Sequence, residues 1–275
     1  MGLVRGADTP LTLYIENAMK KSGVRNIIAL MCFLISMGGF HVSAYAMTVV
    51  LDPGHGGAGT SHSGAIYQPF VEKDLNLDVA ARVRDELADA GVTVYMTRYG
   101  EESPSLEERA DYAASMNADL FISIHFNSSG PHDKFGSEVW TSLYDPYRSI
   151  GGNVGKRVLK NLNELGFANK GVKVKSGTSG DYYGIIRHGT GYGIPSIIIE
   201  HCFIDSYIDR EILDRVGVDA IAHADAEGIL DYIRSVDGVD EVSKGHSVEG
   251  DAESEAYSME NRISVSHSAE ESKIR

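Results

Sequence analysis

Along the middle of the chain, short apolar runs rich in β-branched residues alternate with stretches whose apolar residues recur every three or four positions. The runs from Thr48 to Asp52, Val92 to Thr97, Leu120 to Phe126, Glu138 to Thr141 and Ser196 to Glu200 are short and apolar, as interior strands are. Leu75, Leu77, Val79, Val83 and Leu87 keep nearly helical spacing until Gly91 stops it, and Leu106, Ala110, Ala113 and Ala114 repeat the pattern. Two more helices are predicted, from Tyr147 to Leu165 and from Asp219 to Ile233. This alternation between Met47 and Ser235 predicts one α/β domain built on a mostly parallel sheet.

The two ends read differently. Lys20, Lys21 and Arg25 precede an apolar stretch from Ile27 to Phe40, and Ala44-Tyr45-Ala46 supplies a small-x-small cleavage pattern. Residues 1–46 are therefore expected to be an N-terminal extension and a secretory signal peptide cleaved after Ala46. The apolar stretch is shorter than the roughly 20 residues that a membrane span needs, so the mature form is expected to have no stable span. Met19-Lys20-Lys21 resembles the usual start of such a signal, which points to translation from Met19 rather than Met1. After Val236, Asp, Glu, Ser and Gly dominate, and residues 236–275 read as an acidic disordered tail.

Composition narrows the setting. Of the two cysteines, Cys32 would leave with the signal, so Cys202 remains without an internal disulfide partner. Export without disulfides suits a bacterial cell wall, periplasm or extracellular space. The first 46 residues carry four basic and two acidic side chains, so their removal takes the net charge from -14 to -16. Nucleic acid is thereby disfavoured as a partner.

Candidate chemistry gathers at strand ends. The first strand runs into Asp52-Pro53-Gly54-His55-Gly56-Gly57, where proline and glycines force a tight loop that exposes an imidazole. A phosphate cradle is the alternative, but the spacing is neither a dinucleotide fingerprint nor a P-loop. The third strand delivers His125 towards its carboxyl end, within Ser123-Ile124-His125-Phe126-Asn127. Two histidines at one sheet edge fit the crevice where open α/β sheets place their sites. Glu72 opens a helix, and a carboxylate there could simply oppose the positive helix terminus. Glu200 follows Ile197-Ile198-Ile199, and a buried carboxylate without a partner or a metal is costly. Two imidazoles and one carboxylate leave a fourth zinc position open to water, with a second carboxylate available as general base.

Taken together, these motifs resemble those of the zinc-dependent N-acetylmuramoyl-L-alanine amidases. The resemblance runs from about Val49 to Leu230. It rests on residues 52–57, Glu-Lys-Asp-Leu-Asn-Leu at 72–77, Met-Thr-Arg at 96–98, Ser-Leu-Glu-Glu-Arg-Ala at 105–110, residues 123–127 and the strand ending at Glu200. It implies that His55, Glu72 and His125 bind one zinc ion and that Glu200 is the catalytic base. It also implies a central, mainly parallel sheet of about six strands flanked by helices in a catalytic domain over 47–235. The implied activity is hydrolysis of the amide between N-acetylmuramic acid and L-alanine, with peptidoglycan as the partner. The alternative is a catalytically silent peptidoglycan-binding protein of the same fold, and a zinc deacetylase would want an aspartate-led motif with closely spaced histidines.

There are departures from the family pattern. His201-Cys202-Phe203 follows Glu200, where relatives often carry a small or apolar residue and then Gly-Phe. Strand alternation predicts His201 turned away from Glu200 and Cys202 returned to its face. Cys202 as a nucleophile is the weaker reading beside a small apolar role. His62, His132, His188 and His223 are expected at the surface, and Arg187 is a candidate substrate contact.

Overall fold

The computed structural model describes residues 47–59 and 62–237. The predicted signal peptide, its cleavage site and all but the first two residues of the predicted tail lie outside them.

Four of the six strands of the main sheet share one direction. They are β1 (Thr48–Pro53), β4 (Thr93–Met96), β5 (Leu120–Asn127), β6 (Ser137–Thr141), β7 (Asn169–Lys173) and β10 (Ser196–Phe203), ordered β4-β1-β5-β10-β6-β7. Pairings are parallel except where β6 runs antiparallel to β10, so β6 and β7 form a reversed pair at one edge. Thus four strands run one way and the edge pair the other, the mainly parallel six-stranded sheet expected from the sequence. Two small hairpins stand apart, β2 (Ile66–Tyr67) with β3 (Phe70–Val71), and β8 (Ser176–Gly177) with β9 (Gly180–Asp181).

Helices cover both faces, and the period-2 alternation of the strands decides which side chains meet which helix. Val49, Leu51, Ile122, Ile124, Ile197 and Ile199 join one core with α1 (Glu72–Asp89), α3 (Tyr147–Glu164) and α5 (Tyr207–Asp237). Val50, Phe121 and Ile198 face the other way and join Ala110 and Ala113 of α2 (Leu106–Ser115) and Ile185 and Ile186 of α4 (Gly184–Gly191). The first core takes long side chains such as Leu87, Leu159 and Leu162, whereas the second is thin, with two alanines from α2. The thinner side is the one where the cleft opens.

Local signals set the boundaries. Ser105 caps α2, accepting from Glu108 N at 3.2 Å while Glu108 Oε2 accepts from Ser105 N at 2.8 Å. That reciprocal box fixes the rotation of α2, which turns Arg109 into the protein. Helix α5 begins at Tyr207, twelve residues before the predicted start, and breaks at Gly217, which alone in it leaves helical backbone angles. Its last turn runs to Asp237, two residues into the stretch predicted as tail. Among the described residues, no helix is long and apolar enough to cross a membrane.

Candidate active site

His55 stands in the loop after β1, at φ 63°, a left-handed conformation that non-glycine residues adopt rarely and often at functional sites. The loop is held by its carbonyls. Arg98 donates Nε to Pro53 O at 2.8 Å and Nη2 to Gly54 O at 3.0 Å and Lys73 O at 2.7 Å. Arg109 donates Nη1 to Pro53 O at 3.0 Å and Nη2 to His55 O at 2.6 Å. Both guanidiniums are buried. The charge of Arg109 is met by Asp52, whose Oδ1 accepts from Arg109 Nη1 at 2.7 Å and Thr97 Oγ1 at 2.5 Å, and whose Oδ2 accepts from Ser123 Oγ at 2.6 Å. Burial alone would raise the Asp52 carboxyl, but Arg109 and these hydroxyls hold it below its ordinary range.

Gly54 lets the loop approach β5 closely, since a Cβ there would lie 2.2 Å from the His125 ring. His125, in β5, and His55 meet edge to face with ring centroids 5.0 Å apart. Between them lies Glu72, the first residue of α1 and only 4% exposed. Its Oε1 is 2.9 Å from His125 Nδ1 and 3.1 Å from His55 Nε2, and its Oε2 accepts from Ala65 N at 2.7 Å. Burial pushes the Glu72 carboxyl up, but the two imidazoles outweigh it and bring it down to about 2. One ligand atom from each of the three residues lies within 4.8 Å of the others. Two imidazoles and a carboxylate converging this closely fit a divalent ion of the zinc class.

Glu200 joins them on the wall of the same cavity, which measures about 530 Å³ and also includes Tyr183 and Gly184. Parallel pairing sets Glu200 opposite His125, and antiparallel pairing sets it opposite Glu138. One edge of Glu200 faces the cavity, whereas Oε2 is sealed off with no hydrogen-bond partner among the described residues. Burial, with Glu72 and Glu138 nearby, pushes its carboxyl well above the usual range. Glu138 is itself satisfied, accepting from Lys173 Nζ at 2.5 Å and from Asn127 Nδ2 and Trp140 Nε1 at 3.2 Å each. Tyr183 is pushed up to about 12 by burial and by the Glu200 and Glu138 carboxylates, so its hydroxyl remains a donor.

Arg187 stands outside this group. It donates Nη1 to Asp181 O at 2.8 Å and Tyr182 O at 3.3 Å, and it lines a neighbouring hollow with Tyr182 and the β8–β9 hairpin. His62, His132 and His223 are exposed, as expected, whereas His188 is half-buried on α4. His201 turns away from Glu200 towards α5, where Nε2 lies 2.7 Å from Asp225 Oδ2. Cys202 departs from the expected alternation. A bulge between Glu200 and Phe203 breaks the period, and Cys202 packs with Ile197 and Ile199 in the larger core. Fully buried, with its thiol pushed well up by burial, Asp209 and Glu200, Cys202 lacks the thiolate character of a nucleophile.

Asp52, Arg98, Arg109 and Glu138 escaped the sequence reading as site components. The available signal was chemical: charged residues next to apolar strands and inside an otherwise amphipathic helix.

Residues 49–231 match the N-acetylmuramoyl-L-alanine amidase family. The N-acetylmuramoyl-L-alanine amidase LytC of Bacillus subtilis (strain 168) is 33% identical over 188 residues, which cover 68% of this chain and 36% of LytC. Among solved structures, the N-acetylmuramoyl-L-alanine amidase AmiC2 of Nostoc punctiforme is 31% identical with a TM-score of 0.58, covering 68% of this chain and 97% of that one. Cwp6 from Clostridium difficile is 30% identical with a TM-score of 0.59, covering 69% of this chain and 30% of Cwp6. The chain thus spans about a third of the lengths of LytC and Cwp6.

Proposed function

The chain belongs to the N-acetylmuramoyl-L-alanine amidase family, and from that premise we propose that it is an exported cell-wall hydrolase that cleaves the amide between N-acetylmuramic acid and the L-alanine of the stem peptide. The observation that carries the proposal is the meeting of His55, Glu72, His125 and Glu200 on one cavity. His55, Glu72 and His125 are the proposed ligands of a single zinc ion, and zinc held there polarises a carbonyl and acidifies water.

The remaining work falls to the chain. The loop clamped by Arg98 and Arg109 keeps His55 aimed at Glu72, and Gly54 keeps His125 within reach. Glu200 takes a proton from the attacking water as its oxygen bonds to the lactyl carbonyl carbon. It then delivers that proton to the alanine nitrogen as the C–N bond breaks, leaving a free lactyl carboxylate and a free amine. A carboxyl pushed above its ordinary range by burial and by the Glu72 and Glu138 carboxylates holds a proton more readily than an exposed one, which suits a group that must both accept and return a proton. Tyr183, protonated on the cavity wall, offers a hydrogen bond to the substrate. Arg187, with Tyr182, offers a contact to parts of the stem peptide beyond the scissile bond.

Mass spectrometry of purified peptidoglycan after digestion tests the proposal. Free stem peptides beginning with L-alanine, lost on treatment with a chelator and regained with zinc, are the expected products. Release of acetate would point to a deacetylase, and binding without any product would point to a catalytically silent binder.

A further inference from the structure

Strand β10 advances three residues, from Glu200 to Phe203, while its partner β5 advances two, from His125 to Asn127. The extra residue is that of a β-bulge, which disturbs the ladder locally and re-aims the side chains around it. Buried backbone groups near such a break need other partners. At this bulge, the carbonyl of His125 lies 2.8 Å from His201 Nδ1. His201 Nε2 in turn lies 2.7 Å from Asp225 Oδ2 on α5, so both ring nitrogens are engaged. The two side chains are wholly enclosed, and the ring lies 4.9 Å, centroid to centroid, from that of Phe126.

A satisfied core histidine is the plain account, but two features go beyond it. First, a buried histidine-aspartate pair is a poor way to gain stability, because apolar residues of similar volume are often as good or better. Asp225 Oδ1 is even left buried with no partner among the described residues. Second, the location is specific. His201 follows Glu200 directly in sequence, and its ring grips the main chain of the very residue whose side chain meets Glu72. The pair therefore ties β10, β5 and α5 together at the one point where the proposed base and a proposed ligand stand side by side.

We propose that His201, oriented by Asp225, is a positioning residue that fixes the bulge and thereby the spacing of Glu200 and the His125 ligand. The activity part of this inference rests on the amidase reading; the metal-affinity part does not.

The test uses the full chain with His201→Leu/Asp225→Val, which replaces the pair by apolar side chains, and with His201→Asn and His201→Gln. The asparagine amide can still donate near the position of Nδ1, whereas the longer glutamine amide cannot occupy it without displacing its neighbours. Three quantities are read: kcat and KM on a soluble muropeptide, zinc affinity of chelator-stripped protein by competition titration, and thermal unfolding. The double variant is expected to unfold near the wild-type temperature. It should nevertheless lose about 10- to 100-fold in kcat with little change in KM, and bind zinc about tenfold more weakly, as disturbed support of a ligand shell does. His201→Asn should keep several-fold more activity than His201→Gln. Wild-type kcat and zinc affinity in a folded double variant would overturn the proposal. Should that variant not fold, equal kcat and equal zinc affinity in the Asn and Gln variants would overturn it. A wild-type protein that releases no stem peptide would instead refute the amidase reading, leaving the zinc titration to decide the positioning role.

Discussion

Replacing Glu200 with glutamine should move activity and stability in opposite directions. The change keeps shape and volume but removes the ability to accept a proton at neutral pH, which should lower turnover on the order of 10² to 10⁴-fold. Zinc should remain, because Glu200 is not among the three residues whose ligand atoms converge. The stability effect follows from the surroundings. Glu200 Oε2 is buried with no partner among the described residues, and the Glu72 and Glu138 carboxylates stand nearby. A buried polar group left unpaired costs roughly 1–3 kcal/mol. An amide offers donors to those carboxylates in place of a like charge, so chelator-stripped Glu200→Gln should be more stable by about that 1–3 kcal/mol. Urea unfolding at pH 7 reads the stability, elemental analysis reads the zinc, and initial rates on a soluble muropeptide read turnover. Near-normal turnover, or loss of zinc, would refute the assignment of Glu200 as general base. Unchanged or reduced stability of the metal-free variant would refute the claim that the wild-type carboxylate is electrostatically frustrated.

Substituting His55, Glu72 or His125 singly with alanine should each lower zinc content, since two remaining protein ligands hold the ion poorly; full occupancy by elemental analysis in any of them would remove that residue from the ligand set. Gly54→Ala should displace the His125 ring, because the new Cβ would lie 2.2 Å from it; zinc affinity should fall at a stability cost of about 1–3 kcal/mol, and a crystal structure with His125 unmoved would contradict this. Arg109→Met should destabilise by about 3–5 kcal/mol, the cost of leaving one member of a buried ion pair unmatched, as read by urea unfolding at neutral pH. The Asp52 carboxyl is depressed in the folded state, so its stabilising contribution is full above its unfolded value of 3.8 and is lost as pH falls through the lower folded value; Asp52→Asn should flatten the pH dependence of unfolding below 3.8, and an unchanged slope would show that the network does not hold this charge.

The strands and helices that were legible in the sequence are those whose pattern answers to one dominant force. Ile197-Ile198-Ile199 is apolar because both faces of β10 are covered, and Val79, Val83 and Leu87 are spaced to reach a single core. Other elements follow from tertiary context. Helix α4 contains Gly184, Gly189 and Gly191, which local propensity counts against, yet Gly189 is needed because a Cβ there would come within 2.0 Å of Ser196 Oγ. Strand β7 carries Lys170, Gly171 and Lys173, the composition of a protected sheet edge rather than of a core strand. The early part of α5 leaves Tyr207 and Ile208 exposed at 69% and 51%, which blurs its periodicity. At the site, the proposed ligands were legible because each belongs to a compact motif. The bulge after Glu200 was not, since it appears only when β10 is laid against β5, and it is what defeated the alternation expected for Cys202.

The buried charges divide into two groups, and the division coincides with the chemistry. On the β1 side, Asp52 meets Arg109, Thr97 and Ser123, while both guanidiniums end on loop carbonyls, so the groups that hold His55 are paired and rigid. On the β10 side, Glu138 finds Lys173, but Glu200, one pairing step away, finds none. A sequence selected for stability alone would have no reason to keep an unpaired carboxylate beside two others in the interior, when a neutral residue of similar shape would relieve it. An unpaired carboxylate on the wall of the one described cavity that also holds His55, Glu72 and His125 is what a proton-transferring group held ready by a rigid scaffold requires.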